Sequence, residues 1–121
     1  MKATKTVLVV DDDQGIVELL TMALESQGYD VISATDGAAL RLAREHVPAL
    51  ILLDIEMPIM DGVEVSRRVR ADPQTARIPI VVMSAHDRLD DKGAGMQANE
   101  GLAKPFALDD LYKTVARWAE A

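Results

Sequence analysis

The amino-acid sequence predicts an α/β fold in which helices cover both faces of a parallel sheet. Three observations support this prediction: short apolar runs recur five times, segments with helical periodicity separate them, and the connections are short. Apolar residues that follow one another without alternation are typical of strands buried on both faces. Because strands alternate with helices, we expect right-handed crossover connections between parallel strands.

The five apolar runs indicate where the strands lie. Four of them hold three or more apolar residues, whereas the fifth is weak because it holds only two. The runs are Val7 to Val10, Val31 to Ala34, Leu50 to Leu53, Ile78 to Met83, and Leu102 with Ala103.

The clearest helix follows the first strand, since its apolar residues recur at the spacing of one helical face. Asp13 is expected to cap this helix through its side chain, and Gly28 is expected to end it. The residues of the apolar stripe are Ile16, Leu19, Leu20, Ala23 and Leu24.

Later segments have the same helical periodicity. In the third helix Val65 and Val69 are expected to face the core, and in the last helix Leu108, Leu111 and Val115 are expected to do so. The three segments are Ala38 to Glu45, Gly62 to Arg70 and Leu108 to Ala119.

A further helix is expected between the fourth and fifth strands, within residues 87–101. Gly93 and Gly95 interrupt its pattern, and each glycine costs about 1 kcal/mol relative to alanine inside a helix. This helix, the fourth of five, is therefore predicted to be short or irregular.

Composition limits the classes of function. The chain has 121 residues, of which 49% are hydrophobic, so a single domain over residues 1–121 without an output domain is expected. The formal net charge of −7 opposes binding to nucleic acid. The chain has no cysteine, which excludes disulfides and thiolate metal sites. The first apolar run is too short for a signal peptide or a membrane span, so we expect a cytoplasmic protein that does not insert into membranes.

Polar residues follow four of the predicted strands. Asp11 and Asp12 follow the first, Asp54 the third, Ser84 the fourth and Lys104 the fifth. The carboxyl ends of parallel strands are where ligands bind in such folds. If the first and third strands are neighbours, three carboxylates meet there, and Mg²⁺ with its preference for oxygen ligands would relieve their repulsion. The lysine and the hydroxyl would then stabilise the charge of a phosphoryl group.

Each of these residues alone has a simpler interpretation. An acidic run after a strand is often a solvated loop, and helix capping is sufficient to explain Asp13. A lysine before proline is usually in a surface turn, and a serine that ends a strand usually bonds nearby backbone. The occurrence of all of them on one edge of the sheet favours a common site.

Four segments together resemble the receiver domain of two-component response regulators. The resemblance extends over essentially the whole chain and in the same order. It implies a flavodoxin-like three-layer sandwich with a five-stranded parallel sheet in the order 2-1-3-4-5 and five helices. The segments are Val7 to Asp13, Leu52 to Gly62, Ile80 to Ala85 and Leu102 to Phe106.

The resemblance also implies a role for each residue of the site. Asp54 would accept a phosphoryl group from a histidine kinase or a histidine phosphotransfer protein. Asp12 and Asp54 would hold Mg²⁺, with Mn²⁺ as the alternative ion, together with the backbone carbonyl of Glu56, while Asp11 would act largely through water. Lys104 would contact the phosphoryl oxygens, and its bond to the following proline would be cis.

Four positions are expected to act in switching or tuning. The hydroxyl of Ser84 would move toward the phosphorylated aspartate. Gly101 stands where the family commonly has an aromatic ring, so signalling is expected to work by ordering or shifting residues 87–101. Alternatively, Gly101 only leaves room for Met83 or Met96, and the output lies elsewhere. Glu56 follows Asp54 by two residues, and His86 follows Ser84 by two residues. Both are expected to tune the lifetime of the phosphorylated aspartate.

The sequence therefore predicts a stand-alone phosphoacceptor that assists its own phosphorylation and dephosphorylation, is not an enzyme, and signals to a downstream protein. The alternative is a phosphorelay intermediate that passes the group to a histidine phosphotransfer protein. An aspartate-dependent phosphatase is disfavoured because Glu56-Met-Pro follows Asp54 where such enzymes have a second Asp. A flavin-binding module is disfavoured because no phosphate loop rich in Ser and Thr follows the first strand. A receiver that acts without phosphate is disfavoured because the set of site residues, Asp11, Asp12, Asp54, Ser84 and Lys104, is complete.

Overall fold

Five parallel strands form the sheet of this protein, whose computed structural model describes residues 5–34, 38–55, 62–85 and 98–120. The strands lie in the order β2-β1-β3-β4-β5, which confirms the predicted topology. They are β1 (Thr6–Val10), β2 (Asp30–Ala34), β3 (Leu50–Asp54), β4 (Ile80–Ala85) and β5 (Glu100–Lys104).

Four helices lie in the described part of the chain. The helix predicted within residues 87–101 falls largely on residues 86–97, which are outside the described residues. None of the described helices combines the length and apolarity needed to span a bilayer. The helices are α1 (Gln14–Ser26), α2 (Ala38–His46), α3 (Gly62–Ala71) and α4 (Leu108–Ala119).

The sheet separates two aliphatic cores. Alternate residues of β1 belong to different cores, since Val9 packs with residues of α1 and α4 and Leu8 packs with residues of α2 and α3. The periodicity of two along a strand produces this division. Helices on both faces bury the inner strands β1, β3 and β4, which explains why these are apolar runs, whereas the edge strands β2 and β5 are only partly buried.

The boundaries of α1 agree with the sequence prediction. The Asp13 carboxylate accepts hydrogen bonds from the backbone N–H groups of Gly15 at 2.9 Å and Ile16 at 3.3 Å, which satisfies two donors at the start of the helix. At the other end Gly28 has a φ of +92°, and its N–H donates to the Glu25 carbonyl. Glycine adopts this φ without strain, so the helix ends there.

Three local predictions are wrong. Leu19 is 50% exposed and Val17 is buried in its place, because the buried stripe of α1 is centred one residue away from the predicted one. Leu108 is 43% exposed, since it begins α4 before the helix reaches the core. The fourth strand begins at Ile80 and not at Ile78, because the Ile78 N–H donates to the carbonyl of Thr75 in a turn.

Val47 ends α2 in a conformation that valine rarely adopts. Its φ is +42°, and its side chain is exposed. The left-handed region costs an L-residue about 1–2 kcal/mol, and asparagine tolerates it better than a β-branched residue. We expect Val47→Asn to raise the melting temperature in calorimetry by about 3–5 °C for each kcal/mol of relieved strain.

Threonine at position 47 is the matched control, because it keeps the β-branched shape and replaces only a methyl group with a hydroxyl. We expect Val47→Thr to leave the melting temperature almost unchanged. An equal gain in both variants would mean that removal of an exposed apolar group, and not backbone strain, causes the stabilisation.

Candidate functional site at the carboxyl ends of the strands

Three carboxylates converge at the ends of β1 and β3. Because Val10 of β1 lies in register with Leu53 of β3, the acids that follow these residues are neighbours. Oxygen atoms of Asp11, Asp12 and Asp54 all lie within 4.8 Å of one another. Asp11 is 0% exposed and Asp54 is 4% exposed, while Asp12 is open to solvent. The structure thus brings together the three acids that the sequence predicts to share a site.

Lys104 reaches this cluster from the opposite half of the sheet. It ends β5, in register with Ala85 of β4, and its Nζ lies 3.2 Å from Asp11 Oδ2 and 3.7 Å from Asp54 Oδ2. Two buried carboxylates therefore share one ammonium group. Burial of a carboxylate without an opposite charge is costly, so the ammonium group of Lys104 offsets part of the cost of burying these two acids.

The backbone at the start of α1 fixes the orientation of Asp11. The N–H of Asp13 donates to Asp11 Oδ1 at 2.9 Å, while the other oxygen of Asp11 faces Lys104. Asp13 turns its own side chain to the helix N-terminus. Acids of the same run thus have different roles: Asp13 caps the helix, and Asp11 belongs to the cluster.

Ser84 is buried on the strand that separates the acids from the lysine. Its preceding residue, Met83, lies in register with Asp54 of β3, and Ser84 itself lies in register with Ala103, which precedes Lys104. The side chain of Ser84 is 1% exposed. The register thus gives Ser84 a place between the strands that carry Asp54 and Lys104, at the same edge of the sheet.

The chemistry of these donors fits a magnesium ion. Three carboxylates and one ammonium group leave a formal charge of −2 in the cluster, which a divalent cation neutralises. All donor atoms are oxygens, the ligands that Mg²⁺ prefers. One carboxylate is exposed to solvent, so a bound Mg²⁺ can keep several of its water ligands. The cluster therefore fits Mg²⁺ better than a metal that requires nitrogen or sulfur ligands.

Two of the predicted tuning residues, Glu56 and His86, lie outside the described residues. Their expected contributions, including the carbonyl ligand from Glu56, stay predictions. The peptide bond between Lys104 and Pro105 is cis, as the family resemblance implies.

Gly101 lies on β5 in register with Val82 and is exposed. Its neighbour Glu100 accepts hydrogen bonds from Arg117 Nη1 at 2.6 Å and Trp118 Nε1 at 2.7 Å. Burial raises the pKa of Glu100, but these two donors and the charge of Arg117 outweigh it, so the pKa lies below its usual value. The start of β5 is thus tied to α4, and the role predicted for Gly101 in switching stays a prediction.

Sequence reasoning assigned no site role to Gly62, which begins α3 and closely approaches the residue proposed to be phosphorylated. A Cβ atom at this position would lie 2.5 Å from Ile55 Cα and 2.7 Å from the carbonyl oxygen of Asp54. Carbon atoms attract each other at about 3.5–4.0 Å and repel strongly at shorter distances. Only glycine therefore fits against the backbone here. The Asp61-Gly62 pair at the start of the helix was the sequence signal that could have indicated this contact.

Comparison with protein families gives a match over most of the chain. The family model described as response regulator receiver domain matches residues 7–116. Transcriptional regulatory protein PrrA of Mycobacterium tuberculosis is 44% identical over 112 residues, which cover 90% of this chain and 47% of PrrA. The alkaline phosphatase synthesis transcriptional regulatory protein PhoP of Bacillus subtilis is 43% identical over 106 residues, which cover 85% of this chain and 43% of PhoP. The chain thus spans about half the length of these relatives.

Solved structures agree with the family match. The receiver domain of the sensor histidine kinase PA1611 from Pseudomonas aeruginosa has a TM-score of 0.89 and 30% identity, and the alignment covers 98% of this chain and 100% of that one. That structure holds a magnesium ion in its active site cleft. Chemotaxis protein CheY4 of Vibrio cholerae has a TM-score of 0.85 and 32% identity, with 96% and 99% of the two chains covered.

Proposed function

Because this chain belongs to the family of response regulator receiver domains, we propose that it accepts a phosphoryl group on Asp54 from a phosphohistidine and signals to a protein partner. The donor is a histidine kinase or a histidine phosphotransfer protein, and the reaction depends on Mg²⁺. The observation that carries this proposal is the Asp54 carboxylate, buried beside two acids and 3.7 Å from the ammonium group of Lys104. The protein acts as a phosphoacceptor and not as an enzyme with a separate substrate.

The proposed reaction is an in-line transfer. An oxygen of Asp54 attacks phosphorus, the phosphorus–nitrogen bond to the histidine breaks, and the imidazole leaves with the electron pair. The protein contributes position and charge more than covalent chemistry. Mg²⁺ supplies positive charge against the phosphoryl oxygens when it is bound. Lys104 then contacts the new phosphoryl oxygens, and the Ser84 hydroxyl donates to the same group.

A role as a phosphorelay intermediate is the second candidate. The likeness to the receiver domain of the sensor histidine kinase PA1611 supports it, since the chain aligns with that domain along its whole length. The longer transcriptional regulators support the first candidate. Transfer of the group from the phosphorylated protein to a purified histidine phosphotransfer protein would distinguish the two.

Labelling with acetyl phosphate tests the proposal directly. We expect intact-mass spectrometry to show one added phosphoryl group in the presence of Mg²⁺ and its removal by hydroxylamine, which cleaves acyl phosphates. Chelation of divalent ions with EDTA is expected to slow the labelling by at least about tenfold, because the cluster then keeps its uncompensated negative charge. Absence of label with Mg²⁺, or a label that resists hydroxylamine, would contradict the proposal.

A further inference from the structure

The α2 and α3 helices lie side by side and direct guanidinium groups to solvent. Their inner residues, among them Ala43 and Val69, are buried in the core. Four arginines on the outside have side chains that are 48% to 64% exposed. We call this surface the arginine face; its residues are Arg41, Arg44, Arg67 and Arg68.

The charge of the arginine face is opposite to that of the rest of the molecule. The α2 and α3 helices hold five arginines and two glutamates, and with Asp72, which pairs with Arg44, this side of the molecule has a formal charge of +2. The α1 and α4 helices on the other side of the sheet hold four acids and two basic residues, and the whole chain has a net charge of −7. A positive surface on an otherwise acidic protein creates a local electrostatic potential that attracts carboxylates.

The type of basic residue is also uneven. The chain has five lysines, at positions 2, 5, 92, 104 and 113, and none of them lies in α2 or α3. Lysine would keep a helix surface soluble equally well. Arginine differs because its planar group binds carboxylates through two parallel hydrogen bonds and is enriched at protein interfaces.

Ion pairs within the surface hold these side chains in position. Glu64 binds two arginines at once, with one oxygen 3.1 Å from Arg67 and the other 3.1 Å from Arg68. Arg44 of α2 pairs with Asp72 in the turn after α3. A hydrogen bond from the Gln74 N–H and the contact with Arg44 lower the pKa of Asp72, so the link persists in mildly acidic solution. Each guanidinium has five N–H donors, which leaves several for a partner after one pair is made.

We propose that the arginine face is a docking surface for a carboxylate-rich segment of a partner protein. This inference goes beyond the phosphoacceptor function, since the arginines belong to two helices and not to the acidic cluster at the strand ends. Nucleic acid fits less well because a duplex carries one negative charge per about 1.7 Å of its axis, so its phosphates cannot avoid Glu45 and Glu64, which lie among the arginines. A second copy fits less well because contact between unlike faces of two copies would form a ring or an open chain and not a two-fold dimer, the commonest assembly.

Fluorescence anisotropy with a labelled glutamate-rich peptide tests this surface on the full 121-residue chain. The variants are Arg41→Gln/Arg67→Gln and the matched control Lys5→Gln/Lys113→Gln, which removes the same charge from exposed positions elsewhere. We expect the first variant to weaken peptide binding about three- to tenfold at low salt and the control to change it less than about twofold. Circular dichroism verifies that both variants are folded.

Each other outcome would overturn the inference. Equal weakening in both variants would mean that net charge alone attracts the peptide, and no binding at low salt would mean that the face has no affinity for carboxylates. Tighter binding of a short DNA duplex, lost in the arginine variant, would assign the face to nucleic acid. A larger particle in light scattering, lost in the same variant, would assign it to a second copy of the chain.

Discussion

Replacement of Asp54 by asparagine is expected to abolish labelling by acetyl phosphate while the protein stays folded. The amide lacks the anionic oxygen that attacks phosphorus, so no acyl phosphate can form at this position. The shape of the side chain is preserved, which matters because the residue is only 4% exposed. Lys104 keeps its partner at 3.2 Å in Asp11, so no buried ammonium group is left without a carboxylate. Intact-mass spectrometry measures the label, and circular dichroism measures the fold.

Asp12→Asn is the control for loss of a carboxylate without loss of the attacking group. It removes one of the three acids that lie within 4.8 Å, but Asp54 is retained. We expect slower labelling that recovers as the Mg²⁺ concentration is raised, because metal affinity and not the acceptor is impaired. Full labelling of the Asp54→Asn protein would mean that another residue is the acceptor.

Gly62→Ala is expected to slow labelling by about 10²-fold, since displacement of a reacting group by about 1 Å has an effect of this size. The added Cβ would lie 2.5 Å from Ile55 Cα, about 1 Å inside the normal contact distance. Val65 and Val69 anchor α3 in the core, and β3 is paired on both sides. Relief of the clash therefore shifts the backbone that carries Asp54. The measurement is the rate of labelling at saturating Mg²⁺.

Gly28→Ala separates this positioning effect from a loss of stability. Its φ of +92° makes alanine unfavourable by about 1 kcal/mol, but no atom lies within 4 Å of the new Cβ. Gly28 follows the C-terminal end of α1, whereas the acidic cluster lies at its N-terminal end. We expect this variant to melt earlier and to be labelled at the wild-type rate. A wild-type rate in Gly62→Ala would show that Gly62 has no positioning role.

Much of the site could be predicted because its residues directly follow buried strands. A parallel sheet brings the carboxyl ends of its strands to one edge, so Asp11, Asp54 and Lys104 could be grouped from a linear sequence. Asp13 could be separated from the cluster because its position before a helical stripe is the position of a cap. These inferences depend on chain order alone and needed no distances.

Other features could not be predicted because they depend on packing across distant segments. Periodicity defines the direction of a helix only approximately, so Leu19 was assigned to the core in place of Val17. The contact of Gly62 with the Asp54 backbone joins two elements, and no local pattern specifies how closely they approach. The same holds for the opposite charges of the two helix pairs, α2 with α3 (positive) and α1 with α4 (negative). These charges lie on different faces of the molecule only because the sheet separates the two pairs.

The sequence by itself therefore determined which polar residue follows each strand, which family the chain resembles and which acids form the cluster. These follow from local hydrophobic runs and from the residues that end them. Only the tertiary structure decided that Asp11 and Asp54 are both buried against one lysine from β5, with Asp12 left to solvent. The physical reason is that burial and charge pairing are properties of the space between elements, and that space is set by how helices and strands pack.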